Sequence, residues 1–151
     1  MTKPYRKRRL WLSVPGAGAS EYYPVVLSTE KALLYRFTGR WQDAEQLLRE
    51  CVAWVMRGSD RAARIEAQRN LSGLLIYRGA FDEAQDLAVR SMAECQATGD
   101  RRNYSRFLEH LGSIHTGRGS FEQALACYAE SLAIADVETA FTNLKRFLTE
   151  R

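Results

Sequence analysis

Proline is scarce in this chain and absent after Pro24; the 151 residues hold three. Nothing downstream therefore carries the ring that breaks a helical hydrogen-bond ladder, as an all-helical body requires. Histidine is rarer still. His110 and His115 are the two present, and a spacing of five turns them about 140° apart on a helix, so they cannot share one metal ion. Cysteine is odd in number, with Cys51, Cys95 and Cys127 and no Cys-x-x-Cys pair. That pattern fits small buried residues in a reducing, cytoplasmic compartment. No apolar run approaches the roughly 18 residues that a membrane span needs. Phosphate-cradling glycine loops, nucleophile elbows and metal-ligand pairs are missing as well. An enzyme is disfavoured on these grounds, and no cofactor, metal or membrane partner is expected.

Acidic residues are missing from residues 1–19, which hold Lys3, Arg6, Lys7, Arg8 and Arg9. The chain has 22 basic and 18 acidic residues, so the remainder carries 17 against 18 and is close to neutral. The pI of about 9.1 therefore belongs to the arm. The apolar stretch Leu10–Val14 is shorter than a signal-peptide core and is followed by Pro15-Gly16. Two readings of the arm stand. It is a disordered or loosely docked segment, with Trp11 and Leu12 covering the first part of the body. Or it is a basic patch for nucleic acid or an acidic protein.

What the chain does have is a pattern that occurs three times at one constant step: Gly39-Arg40-Trp41-Gln42-Asp43-Ala44, Gly79-Ala80-Phe81-Asp82-Glu83-Ala84 and Gly119-Ser120-Phe121-Glu122-Gln123-Ala124. Other columns keep their character at the same step. Ala32, Ser72 and Gly112 are small, as are Cys51, Ser91 and Ser131. Leu34, Leu74 and Ile114 are large and apolar, as are Val52, Met92 and Leu132. Ser20, Asp60 and Asp100 are good helix N-caps. Large columns fill the space between helices and small ones let backbones approach. Each unit thus reads as helix, tight glycine turn, helix, with acids in the first turn of the second helix. The units run over about 21–56, 61–97 and 101–135. After Asp136 the period lapses. Val137, Ala140, Phe141, Leu144, Phe147 and Leu148 form one apolar stripe, which predicts a capping helix over 137–151.

These motifs resemble the tetratricopeptide repeat family. The likeness rests on Leu111-Gly112, His115, Gly119-x-Phe121-x-x-Ala124, Tyr128 and Ser131-Leu132, with the matching residues of the second copy. The period exceeds the family's usual length of about 34 and matches a longer class whose link ends in Gly-Asp. Lys31 departs from the pattern, because Leu71 and Leu111 stand in its column. HEAT and armadillo repeats have a similar period, but lack the Gly-x-aromatic-x-x-Ala turn. The resemblance implies an all-α fold, a right-handed superhelical solenoid of three helix-turn-helix repeats over residues 20–151 with the capping helix at its end.

It also implies a groove lined by the first helices. The inward positions are Thr29, Leu33 and Arg36; Arg69, Asn70, Gly73 and Tyr77; and Arg106, Glu109, His110 and Ser113. Arginine offers a forked donor for carboxylates. The expected role is a non-catalytic protein-interaction module holding an acidic or carboxylate-bearing peptide segment. Some family members clamp the C-terminal carboxylate of a chaperone tail with Lys and Asn. Asn70 matches that pattern and Arg106 replaces a Lys, while Thr29, Leu33 and His110 depart from it. Two alternatives stand beside the peptide module. One is a regulatory or sensor module of a larger signalling or transcription-regulating protein. The other is a nucleic-acid accessory protein acting through the basic arm.

Overall fold

The computed structural model describes the backbone of residues 22–149 and the side chains of residues 24–137. The arm over residues 1–19, the cap at Ser20 and the apolar stripe from Ala140 onward lie outside the described side chains. Six helices follow one another: α1 (Tyr22–Phe37), α2 (Trp41–Val55), α3 (Arg61–Tyr77), α4 (Phe81–Thr98), α5 (Arg101–Gly117) and α6 (Phe121–Thr149). No strand occurs among the described residues. Pro24 sits in the first turn of α1, where the amide it lacks would have no intrahelical partner.

The three repeated glycines do what their spacing predicts. Gly39, Gly79 and Gly119 have φ of 73°, 77° and 76°, a conformation that a Cβ penalises. The same pair of backbone bonds closes each turn. The Gly39 amide donates to the Arg36 carbonyl at 3.1 Å and the Arg40 amide to the Tyr35 carbonyl at 2.7 Å. Gly79 with Ala80, and Gly119 with Ser120, repeat this to Ile76 and Leu75, and to Thr116 and His115. This is the double bond of a Schellman cap, which satisfies carbonyls that a helix end leaves open.

The links between repeats differ from each other. Gly99 ends α4 at φ 69° with the same pair of bonds, from Gly99 to Gln96 and from Asp100 to Cys95. Gly58 does not take a positive φ. Both links nevertheless deliver an N-cap. Asp60 Oδ1 accepts from the Ala63 amide at 3.0 Å, and Asp100 Oδ1 accepts from the Asn103 amide at 3.1 Å.

Residues up to Leu74 form one compact unit and those from Leu75 a second, so the division falls within α3. The first unit packs Val25, Cys51, Trp54, Val55, Ala63 and Ala67 into one cluster, with Val52 against it. Helices α1, α2 and α3 thus share a core. Arg40 stacks its guanidinium over the Tyr35 ring at 4.4 Å and bonds Asp43 at 2.7 Å, which ties the first turn together.

In the second unit α5 packs against both α4 and α6. Ser105 and Ser131 are both buried, and their hydroxyls lie 2.8 Å apart. Each hydroxyl also lies 3.1 Å from the other residue's carbonyl oxygen, an alternative acceptor for its single proton. Gly112 lets α6 approach further: a Cβ there would lie 2.6 Å from the Tyr128 ring. Phe81 rests on Gly117 in the same way, with its ring where a Cβ would stand. Arg118 reaches back to Asp82 and Gln85 of α4.

The small columns are buried as expected, including Ala44, Ala84 and Ala124 at the helix crossings. Two large apolar columns are not buried throughout. Leu34 is exposed where Leu74 and Ile114 are buried, and Leu132 is exposed where Met92 is buried. The expected capping helix also takes another form. Instead of a separate element from 137, the backbone continues α6 through Asp136 to Thr149 without a break. The sequence explains this. One repeat step beyond the Gly99-Asp100 stop stand Thr139 and Ala140, and nothing between Phe121 and Thr149 is Gly or Pro.

Candidate interaction surface

In the first unit the candidate residues are Thr29, Leu33 and Arg36 on α1 and Arg69, Asn70 and Gly73 on α3. Thr29 donates to the Val25 carbonyl at 2.9 Å. It accepts from Asn70 Nδ2 at 2.6 Å, a bond that ties α1 to α3. The same amide lies 3.3 Å from Glu66 Oε1. Glu66 also holds Arg69, at 2.6 Å from Nη2, with both side chains about four-fifths covered. Sequence reasoning passed over Glu66, although its spacing from Arg69 is the i,i+3 spacing that brings helical side chains together. Arg69 Nε is buried and has no hydrogen-bond partner among the described residues. The Arg36 guanidinium lies over the Trp41 ring at 5.7 Å.

In the second unit the candidates are Tyr77 and, on α5, Arg106, Glu109, His110 and Ser113. Tyr77 is exposed. Glu109 and Ser113 are engaged with α6. The Glu109 carboxylate lies 3.2 Å from Ser131 Oγ, as a further acceptor for that hydroxyl, and Ser113 Oγ lies 3.2 Å from the Tyr128 hydroxyl. His110 meets the Phe107 ring edge-on, with centroids 5.8 Å apart. Arg106 is half-buried and makes no ion pair among the described residues.

The thiols are placed for packing. Burial pushes Cys51 up to about 11, offset in part by the Ser28 hydroxyl beside it. Burial, with the Asp100 and Glu94 carboxylates adding to it, pushes Cys95 up to about 11. Burial and then Glu130 raise Cys127. A thiolate is the reactive form, so all three are held away from nucleophilic chemistry at neutral pH.

Paired helices, repeated glycine caps and small residues at each crossing now stand at a constant step. A family model described as Tetratricopeptide repeat matches residues 24–95 and, overlapping them, residues 66–136. The chain belongs to the tetratricopeptide repeat family. Such repeats are protein-interaction modules, and as a family they are typically scaffolds rather than catalysts. Among solved structures the chain is similar to the tetratricopeptide repeat domain of Arabidopsis FLU. The TM-score is 0.66 at 14% identity, over 78% of this chain and 99% of that one. At that identity the likeness speaks for the tetratricopeptide fold alone. No curated protein matches the chain. Among the described residues, no helix is long and apolar enough to cross a membrane.

Proposed function

We propose that this tetratricopeptide repeat chain is a non-catalytic interaction module that holds an acidic, carboxylate-bearing peptide segment of a partner protein. The candidate contacts are Arg36, Arg69, Asn70 and Gly73 in the first unit and, taken separately, Tyr77, Arg106, Glu109, His110 and Ser113 in the second. The cytoplasm suits it, since Cys51, Cys95 and Cys127 are all free thiols.

The observation that carries this reading is Arg69. Its Nη2 is fixed by Glu66 while its buried Nε–H has no acceptor among the described residues. A buried donor left unmet costs about 1–3 kcal/mol, and a carboxylate that draws the guanidinium outward would meet it. A guanidinium already held in one orientation loses less freedom on binding than a loose one. Arg106 supports the same chemistry, since no carboxylate among the described residues pairs with it.

The test is a peptide array of acidic, neutral and basic segments probed with the intact chain. Acidic segments should bind, and added salt should weaken them because the charges lie at a surface. Arg69→Ala with Arg106→Ala should lower affinity by roughly tenfold or more, since a charge-assisted bond is worth about 1.5–3 kcal/mol. Binding that ignores both arginines but vanishes on deletion of residues 1–19 would refute the proposal and move the site to the basic arm.

A further inference from the structure

Helix α6 carries an apolar stripe that is largely exposed among the described residues. Phe121, Leu125 and Leu132 follow the i, i+4, i+11 rhythm of one helix face, with Tyr128, whose ring also meets Gly112 of α5, between them. Leu125 is 68% exposed and Leu132 62%. The first unit shows what such a face receives. Val52, which shares the repeat column of Leu132, packs against a cluster that includes Ala67 of α3. In the second unit the corresponding residues, Met92 on α4 and Phe107 on α5, are both buried, and those helices pack together.

The other half of this contact is also exposed, on α1. Leu27 stands one repeat step before Ala67, and Leu34 one step before the buried Leu74. Yet Leu27 is 43% exposed and Leu34 65%. Helix α6 therefore displays the face that receives a first helix, and α1 displays the face that a first helix inserts. Charge agrees with the match. Residues 121–137 hold Glu122, Glu130 and Asp136 and no base, while residues 22–37 hold Lys31 and Arg36 against Glu30. Lys31 replaces the leucine of its column, which sets a cation beside that acidic helix.

We propose that the α6 stripe is the docking site for α1 of a second copy of this chain, seated as α3 sits on α2 and as α5 sits on α4. The contact joins two different surfaces, so it is head-to-tail. Each copy keeps one free inserting face and one free receiving face.

The experiment is sedimentation equilibrium of the intact chain over a wide range of concentration, with the variants Leu34→Glu and Leu132→Glu. Both positions are exposed in the single chain, so each variant folds, which circular dichroism verifies. The parent should show a mass that rises with concentration. Each variant alone should self-associate more weakly by at least about tenfold, because a carboxylate is driven into an apolar contact. An equimolar mixture should recover association and stop at one copy of each, since Leu34→Glu retains the receiving face and Leu132→Glu the inserting face. A mixture that stays monomeric overturns the proposal. So does a parent that is monomeric throughout, whether residues 1–21 of the same chain or nothing at all covers the stripe. Self-association of Leu34→Glu equal to that of the parent overturns it too, and assigns an α6-to-α6 contact instead.

Discussion

Gly112→Ala tests the close approach of α5 to α6. Two effects oppose each other there. Glycine inside a helix is less favourable than alanine by about 0.8–1.0 kcal/mol, so the propensity change alone would stabilise α5. Against it stands the Tyr128 ring. Three of its carbons lie 2.6, 2.7 and 2.9 Å from where the new methyl would sit, about 1 Å inside ordinary van der Waals contact. Moving the ring gives up the exposed 3.2 Å bond between its hydroxyl and Ser113. The ring must leave its rotamer or push the helices apart, and overpacking of this kind costs about 1–3 kcal/mol. The net expectation is a loss of about 1 kcal/mol, read as a lower urea midpoint with the slope unchanged. In a Tyr128→Ala background the clash is gone and the propensity term remains. The same substitution should then stabilise, by up to about 1 kcal/mol. The change of sign is the coupling that a double-mutant cycle isolates. A Gly112→Ala protein more stable than the parent would refute the packing of Tyr128 on this glycine.

Three further outcomes follow from the same structure. Ala84 is fully buried at a helix crossing, so Ala84→Leu should cost about 1–3 kcal/mol by overpacking, visible as a lower melting temperature. Asp100→Ala removes the acceptor of the Asn103 amide and should cost about 1 kcal/mol, measured by urea unfolding. Burial raises Cys51 and Cys95 from 9.0 to about 11, so between those values the unfolded chain loses protons that the folded chain keeps. Stability should therefore fall as pH rises from about 9 to about 11, by up to about 1.4 kcal/mol per pH unit for each thiol. Cys51→Ala with Cys95→Ala should flatten that fall, and a slope identical to the parent's would show that the thiols do not cause it.

The fold was legible because the same instruction is written three times. Gly39, Gly79 and Gly119 each need a conformation that other residues resist, and Ala44, Ala84 and Ala124 each leave room for a crossing helix. Any one of these signals is weak, but three at a constant step leave few other architectures. The exposure of Leu34 and Leu132 was hidden for the same reason. A column reports what a position can do, and its burial depends on a neighbour that the sequence pattern does not name. The continuation of α6 was legible in principle, since no Gly-Asp stop follows at the fourth interval. An amphipathic stripe over 137–151 suggested a new helix, but a stripe is equally compatible with the same helix carried on.

The interaction surface was less legible because nothing periodic constrains it. Arg69 could be placed on a first helix from its column. Its ion pair with Glu66 has the ordinary i,i+3 spacing found on any solvated helix, so the pair carries no signal that separates a site from a surface. The Asn70–Thr29 bond joins residues 41 apart in sequence, one more than the repeat step, and so lies outside every column comparison. A repeat fixes where a side chain is presented, while its chemistry is free to vary from copy to copy. Arg36, Arg69 and Arg106 fall at different positions within their helices, unlike the glycines and alanines that build the scaffold. Lys31 shows the converse. It breaks an apolar column of the scaffold where Leu71 and Leu111 stand in the other copies, so the departure is visible in the sequence, while what the cation faces depends on packing that no column comparison carries.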